Sequence, residues 1–195
     1  MISRKLWLLA AVSLLSMIAF SSTSAMAADE KCKGTKLTAP LLAENNSGVT
    51  GTATICISAG GVRAQVQAGS LTAGDDYTLW FIYFDEPSQC VVPGVCTDAD
   101  VFTPTNDPEG VFGRYDSTTA IGTSATFLGH SGLIPSSGSV ISLEIVAHGA
   151  PDSDGKHRAR QLLTPQIPIL GAPGLGTDSD GTVGNPIADA QFTIQ

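Results

Sequence analysis

The stretch Tyr77–Phe84, YTLWFIYF, constrains the fold of this chain strongly, because both of its faces are apolar in an extended conformation. Alternate side chains of a β-strand point to opposite sides. The apolar residues divide into Tyr77, Leu79, Phe81 and Tyr83 on one face and Trp80, Ile82 and Phe84 on the other. Aromatic and β-branched residues in so short a run favour a strand over a helix. We therefore expect a central strand covered on both sides, with the cysteine-containing loop after Pro87 as one cover.

Alternation of apolar and polar residues predicts further strands along the chain. The predicted strands besides Tyr77–Phe84 are Gly51–Ser58, Val62–Ala68, Ala120–Leu128, Ser139–Ala147 and Ala188–Ile194. Additional strand candidates are Thr35–Leu42, Val101–Phe102 and Val111–Tyr115. Glycine-rich turns are expected at 59–61 and 129–138, and a long loop at 168–186. The segment His157–Leu163 fits either a strand or a short helix. About seven or eight strands joined by turns predict an all-β fold, an antiparallel β-sandwich with long loops.

The first 27 residues are predicted to form a signal peptide. Arg4 and Lys5 precede an apolar run that ends at Phe20, and Ala25-Met26-Ala27 fits a cleavage site. The run is shorter than the roughly 20 residues that a membrane-spanning helix needs, so we expect export without a membrane anchor. The domains would then be an N-terminal arm at 28–49 and a single β-sandwich at 50–195, in the periplasm or outside the cell.

The charge balance argues against one class of partner. The chain has 10 Lys and Arg and 18 Asp and Glu, which gives a net charge of −8, and loss of Arg4 and Lys5 would make it −10. Binding to a phosphate backbone needs clustered Lys and Arg, so we expect no nucleic-acid partner. A cell-envelope component or another protein remains as the expected partner.

Four cysteines in an exported domain predict two disulfide bonds. Sequence alone allows three pairings. We favour Cys90–Cys96, because Pro93-Gly94 lets the chain reverse between these cysteines, and Cys32–Cys56, which would fasten the arm to the first clear strand. No two cysteines have CxxC spacing, so we do not expect a redox or metal site of that type.

Histidines and Asp-Ser-Asp-Gly segments supply the candidate metal ligands. His130 and His148 each fall where a predicted strand meets a turn, and imidazole is the commonest metal ligand in proteins. Asp152 and Asp154 resemble part of a calcium loop that lacks its first ligand and its final glutamate. These four residues form the predicted site for calcium or a transition metal. The other carboxylate pairs are Asp75-Asp76, Asp98 with Asp100, and Asp178 with Asp180.

Ordinary structural roles are the alternative for the same residues. The histidines would then bond loop backbone, and Asp-Gly would form solvated turns. No GxSxG elbow or phosphate-binding glycine loop is present, and Gly129-His130-Ser131-Gly132 has no assigned base. Asp85 and Glu86 would point to opposite sides of a strand, which is unsuitable for a catalytic carboxylate pair. We assign no catalytic residues and no cofactor, and a metal-dependent enzyme is the alternative.

Three segments, YTLWFIYFDEPSQC, ATFLGH and ISLEIVAHG, together resemble a family of exported, mainly bacterial β-sandwich proteins of uncharacterised function. The resemblance runs from Thr50 to Ile194. The chain is also similar to the CHRD and copper/zinc superoxide dismutase-like sandwiches, which implies an Ig-like or superoxide dismutase-like arrangement. It lacks the clustered metal histidines of the dismutases, so their activity is not implied. The resulting prediction is a non-enzymatic binding or envelope-associated interaction module.

Overall fold

Nine β-strands and one short α-helix are present in the part of the chain that the computed structural model describes, residues 32–94, 96, 100, 109–162 and 184–195. The strands are β1 (Thr35–Pro40), β2 (Leu42–Ala43), β3 (Thr50–Ser58), β4 (Gly61–Gly69), β5 (Asp76–Phe84), β6 (Glu109–Thr119), β7 (Ser124–Ser131), β8 (Val140–Gly149) and β9 (Asn185–Thr193). A 3-10 turn covers Pro87–Gln89, and helix α1 covers Gly155–Gln161. The predicted signal peptide and the predicted strand Val101–Phe102 lie outside the described residues.

The strands form two antiparallel sheets, which confirms the predicted all-β sandwich. The four-stranded sheet has the order β1-β3-β4-β7, and the five-stranded sheet has the order β2-β9-β8-β5-β6. The consecutive strands β1 and β2 belong to different sheets, because the chain crosses between them at buried Leu41. At the other edge, Asp116 Oδ2 of β6 accepts a hydrogen bond of 2.8 Å from the backbone N of Leu128 in β7. Residues 32–195 thus form one compact unit.

The core lies between the sheets and consists of the inward half of each alternating pattern. Its fully enclosed side chains include Ile55, Val62, Val66, Leu79, Phe81, Phe127, Ile141, Leu143 and Ile145. Full burial of one such side chain stabilises the fold by about 1.5–3 kcal/mol. The alternation that predicted β3, β4, β8 and β9 thus corresponds to strands with one face in the core.

Strand β5 is buried along its entire length and pairs with β6 on one side and β8 on the other. Its inner face belongs to the main core. At its end, Ile82 and Phe84 of the outer face pack against Val140 and the two cysteines of the following loop, Cys90 and Cys96. The prediction that β5 is covered on both sides, partly by this loop, is confirmed.

The hairpin between β6 and β7 differs from the prediction. The predicted strand Ala120–Leu128 was wrong at its start, because the chain turns there and Gly122 adopts a φ of 62°. The strand β7 begins at Ser124 and continues to Ser131, so the first part of the predicted turn at 129–138 is strand. A glycine with positive φ is a turn signal, and the apolar residues around Gly122 mask it in the sequence.

The C-terminal part settles one alternative and contains one further difference. Of the segment His157–Leu163, which fits either a strand or a short helix, residues 157–161 belong to helix α1, and Leu163 lies outside the described residues. Strand β9 begins at Asn185, inside the predicted loop 168–186. Pro186 enters the ladder next to a register shift between Ile145 and Val146 of β8. Proline has no backbone N–H to donate, so it is tolerated in a strand where the hydrogen-bond pattern between strands is irregular. Among the described residues, no helix is long and apolar enough to cross a membrane.

Candidate functional site

Both predicted disulfide bonds are present. Cys32 and Cys56 have Cα atoms 5.6 Å apart, and Cys90 and Cys96 have Cα atoms 5.3 Å apart. The first bond fastens the segment before β1 to β3, and the second closes the loop after β5. Two disulfides are typical of a protein that resides in an oxidising compartment.

The two histidines of the predicted metal site lie in different sheets. His130 is exposed on β7, and its Nε2 lies 3.2 Å from the backbone oxygen of Gly60. His148 is buried on β8, and its Nε2 lies 2.8 Å from Thr78 Oγ1. The hydrogen bond of His130 to loop backbone corresponds to the structural alternative.

The two aspartates of the predicted metal site organise the start of helix α1. Asp154 Oδ1 accepts hydrogen bonds from the backbone N atoms of Lys156 at 2.7 Å and His157 at 3.4 Å, which is the geometry of a helix N-cap. Asp152 Oδ1 accepts from the backbone N of Asp154 at 2.7 Å. In the described part of the chain, no group of three or more His, Cys, Asp or Glu residues is arranged to hold a metal ion. Asp98, Asp178 and Asp180 lie outside that part.

Asp76 anchors helix α1 to the outer face of the five-stranded sheet. Its carboxylate has no exposed surface and binds Arg158 of α1 through two bonds, Nε to Oδ2 at 2.7 Å and Nη2 to Oδ1 at 2.9 Å. Thr119 Oγ1 donates to Asp76 Oδ1 at 2.6 Å and accepts from Arg158 Nη2 at 2.9 Å. The hydrogen bond and the charge of Asp76 raise the pKa of Arg158 above its ordinary value. The carboxylate is therefore engaged in an ion pair and is not available as a metal ligand.

A chain of buried hydrogen bonds continues along the same face. Trp80 Nε1 donates to Thr78 Oγ1 at 2.9 Å, and Thr78 Oγ1 contacts His148 Nε2 at 2.8 Å. When the Thr78 hydroxyl donates to the imidazole, the indole proton of Trp80 and the hydroxyl proton of Thr78 each form one hydrogen bond. Nε2 of His148 is then the acceptor. From the helix side, Gln161 Nε2 donates to the backbone oxygen of His148 at 2.7 Å. The network links α1 to the first half of β5 and to the end of β8.

Charged residues form a cross-strand row in the middle of this outer face. The registers pair Trp80 with Arg114 on one side and with Glu144 on the other, and they pair Glu144 with Asp189. Glu144 is buried, and Arg114 Nη1 donates to the backbone oxygen of Leu162 at 3.2 Å. Among the described residues, the only buried side-chain polar atom without a hydrogen-bond partner is the hydroxyl of Tyr115, which belongs to the core. The polar groups of the outer face are therefore satisfied, and they fasten its covering elements.

The outward residues of the four-stranded sheet form a different surface, which we call the acid-free face. Registers place Lys36, Cys56, Arg63 and His130 in one row across β1, β3, β4 and β7. The next two rows are Thr38, Thr54, Gln65, Leu128 and Pro40, Thr52, Gln67, Thr126. None of these four strands contains an Asp or Glu, although the chain has 18 acidic residues. This face combines positive charge with hydroxyl and amide groups on an exposed sheet.

Sequence analysis identified only part of this face. In β4 the polar residues Arg63, Gln65 and Gln67 alternate with apolar ones, which predicts that they face water, and none of the three is buried. It did not bring Lys36, Arg63 and His130 into one row, because their alignment depends on the pairing of three distant strands. The sequence signal that could have identified this face is the absence of Asp and Glu from the segments predicted for β1, β3, β4 and β7.

Comparisons of the chain with protein-family models, with curated proteins and with solved structures found no match. They do not bear on the resemblance to exported β-sandwich proteins or to dismutase-like sandwiches, which stays a prediction.

Proposed function

We propose that the protein is an exported, non-enzymatic binding module that binds an acidic polysaccharide of the cell envelope through its acid-free face. The observation that carries the proposal is the charge separation between this face and the rest of the chain. Lys36, Arg63 and His130 share one row, and the four strands contain no carboxylate that would repel an anionic ligand.

Electrostatics support an acidic ligand of low charge density. The chain has a net charge of −8, and the four strands of this face carry no acid, with Asp116 of β6 reaching only its edge at Leu128. Among the described residues, such a surface attracts anions selectively and orients them on approach. A nucleic acid would require many more phosphate contacts than one row of three basic residues supplies. A carboxylated polysaccharide, with charges spread along a mostly neutral chain, fits this pattern better.

The shape and the neutral residues of the face also support a polysaccharide. Adjacent strands lie about 4.8 Å apart, a spacing close to the length of one sugar unit in an extended polysaccharide. Thr54 lies beside Thr38, and their hydroxyls are 3.2 Å apart. Together with Gln65 and Gln67, these groups supply donors and acceptors suited to sugar hydroxyls. A polysaccharide crossing the strands would meet the basic row and the polar rows side by side.

Export is part of the same proposal. The basic and apolar N-terminal segment with Ala25-Met26-Ala27 supports a signal peptide cleaved after Ala27. The two disulfides support a periplasmic or extracellular location, where envelope polysaccharides are accessible.

Binding to polygalacturonate tests the function directly. We expect wild-type protein to bind and the affinity to fall as salt is added, because exposed charges are screened. Replacing Lys36→Glu together with Arg63→Glu should weaken binding on the order of tenfold, since each exposed ion pair contributes up to about 1 kcal/mol. The matched control is Lys156→Glu, a charge reversal on exposed α1, which should leave the affinity unchanged.

Two results would refute the proposed function. One is equal binding of neutral dextran and polygalacturonate, which would remove the role of charge. The other is equal loss of affinity in the Lys156→Glu control and in the Lys36→Glu, Arg63→Glu variant, which would show that net charge matters and the face does not. Melting curves of each variant establish that it is folded.

A further inference from the structure

Strand β9 is paired unequally along its two sides. On one side its pairing with β8 extends as far as Thr193, whereas on the other side β2 pairs only with Ala188 and Asp189. The order of the five-stranded sheet places no other strand beside β9 on that side. Among the described residues, the segment 190–193 therefore has an open edge next to the short strand β2.

The direction of the backbone groups identifies the residues that are open at this edge. The backbone N of Glu44, directly after β2, donates to the backbone oxygen of Ile187 at 2.8 Å, so odd-numbered residues of β9 direct their groups towards the β2 side. The backbone N of Ile194 donates at 2.9 Å to the residue before β8, so even-numbered residues direct theirs towards β8. Hydrogen-bonded positions alternate along an antiparallel strand. The N–H and C=O groups of Gln191 and Thr193 therefore point to the open edge.

A cavity of about 300 Å³ opens beside the same edge. Its lining comes from β1, β3, the loop before β8 and the end of β9, and its apolar side chains are Leu37, Ile57, Pro135 and Ile194. Among the described residues, none from β8 lines it, so the cavity lies on the side of β9 that faces away from β8. An unpaired strand edge and an apolar cavity thus occur together.

We propose that this edge is a docking site for an extended peptide segment of a partner protein, which adds to the five-stranded sheet antiparallel to β9. The segment would continue the line of β2 and give Gln191 and Thr193 backbone partners, as in other cases of β-strand addition. Its side chains opposite Phe192 and Ile194 would point inwards with those buried residues, into the cavity. The segment that fits therefore has β-branched apolar residues at alternate positions.

A single extended segment suits the dimensions of this site. The open edge is bounded by β2 at one end and by Pro135 and Ser137 of the loop before β8 at the other. Residues 190–193 span about 13 Å at roughly 3.3 Å per residue, so the partner segment is short. A folded second copy would have to place one of its own strand edges between these boundaries. A small apolar ligand would fill the cavity but would give the strand edge no backbone partner.

Amide hydrogen exchange, followed by NMR, tests the open edge before any peptide is added. We expect the amides of Ala190 and Phe192, which pair with β8, to exchange at least roughly tenfold more slowly than those of Gln191 and Thr193. A blocked peptide of alternating threonine and valine, with a lysine at each end, should then slow exchange at Gln191 and Thr193. The same peptide with N-methylated backbone amides should bind at least roughly tenfold more weakly, because it lacks the N–H donors.

Two variants at Thr193 separate the backbone from the side chain. Thr193→Pro removes the N–H that points to the open edge and keeps the pairing with β8, since proline is tolerated where the N–H points away from the sheet. It should weaken peptide binding at least roughly tenfold. Thr193→Val is the matched control, which retains the N–H and should retain the affinity. Ser137→Trp, which fills the cavity from its exposed rim, should also weaken binding. Melting curves establish that each variant is folded.

Several results would overturn the proposal. Slow exchange at Gln191 and Thr193 in dilute protein without peptide would mean that another part of this chain already covers the edge. Protection that increases with protein concentration would identify a second copy as the occupant. Equal affinity of the two peptides, or of the two Thr193 variants, would remove the role of backbone pairing, and a peptide without effect at millimolar concentration would remove the site. None of these measurements uses a polysaccharide, so this proposal and the proposed function can fail separately.

Discussion

At the scale of single residues, Tyr115 is the least satisfied group in the described core. Its ring stacks on Phe81 with centroids 4.5 Å apart, while its hydroxyl is buried without a hydrogen-bond partner. Burying a hydroxyl without a partner costs about 1–3 kcal/mol. We therefore predict that Tyr115→Phe keeps the stacking and raises the free energy of unfolding by about 1 kcal/mol, measured by urea denaturation. A lower free energy of unfolding in the variant would contradict this account.

The same substitution should change the alkaline pH dependence. Burial raises the pKa of Tyr115, and the Ser131 hydroxyl, which lies nearby without meeting the geometry of a hydrogen bond, offsets only part of this rise. The unfolded chain releases this proton near pH 10, whereas the folded protein retains it, so the wild type loses stability as the pH rises above about 10. The loss is about 1.4 kcal/mol per pH unit from this group. Tyr115→Phe should lack this component, and identical alkaline slopes for both proteins would count against it.

Gly129 leaves room for the Tyr115 ring. A Cβ at Gly129 would overlap the ring of Tyr115, which stacks on Phe81 of the core and therefore has little freedom to move. We predict that Gly129→Ala lowers the free energy of unfolding by about 1–3 kcal/mol, the usual cost of overpacking. The control is Gly132→Ala, because an added Cβ there meets no atom within 4 Å. Comparable urea midpoints for the two alanine variants would contradict the close packing at Gly129.

At the scale of elements, a buried ion pair fastens helix α1 to β5, in addition to the hydrogen bonds of Gln161 to the end of β8. Asp76 is fully buried, whereas the side chain of Arg158 is 41% exposed. Arg158→Ala would leave a buried carboxylate without its main partner, whereas Asp76→Ala would leave a guanidinium that water can reach. We predict that Arg158→Ala lowers the melting temperature more than Asp76→Ala, with the double variant close to Asp76→Ala. A larger effect of Asp76→Ala than of Arg158→Ala would be incompatible with this order.

An element could be predicted from the sequence when the residues that determine it lie within the element itself. Strand β4 was predictable because Val62, Val66 and their polar neighbours alternate within one short segment. The β6–β7 turn was missed because Gly122 sits among residues that continue the alternation. Helix α1 remained ambiguous, because its anchor is Asp76, far away along the chain. Local patterns thus determined strand faces, while distant contacts determined the remaining boundaries.

At the scale of the whole molecule, the candidate sites depend on strand pairing. The proposed metal ligands His130 and His148 seemed equivalent in sequence, yet their strands belong to different sheets. Conversely, Lys36 and His130 lie at opposite ends of one row, although β1 and β7 are distant in sequence. Alternation indicates which way a side chain points but not which strand lies beside it. The acid-free face could therefore be recognised as one surface only from the registers.

The two disulfides should contribute unequally to the stability of the molecule. Cys32 and Cys56 are 24 residues apart, and Cys90 and Cys96 are 6 apart. In the chain-entropy account, closing the longer loop stabilises by ~3.5 kcal/mol and closing the shorter one by ~2.4 kcal/mol. We predict that replacing both Cys32 and Cys56 by alanine lowers the free energy of unfolding more than replacing both Cys90 and Cys96, as measured by urea denaturation.

Side-chain packing around Cys90 and Cys96 opposes the predicted order of the two stability losses, so the comparison separates packing from chain entropy. Cys90 and Cys96 are buried beside Ile82 and Phe84, so their replacement also removes apolar contacts from the outer face of β5. A larger loss in the Cys90, Cys96 variant would mean that the loop stabilises the fold chiefly as a cover, not as a covalent constraint on the unfolded chain. The slope of the urea transition provides the second readout, because a cross-link that constrains the unfolded state reduces the surface exposed on unfolding. Removing the Cys32–Cys56 disulfide should therefore increase the slope of the urea transition more than removing the Cys90–Cys96 disulfide.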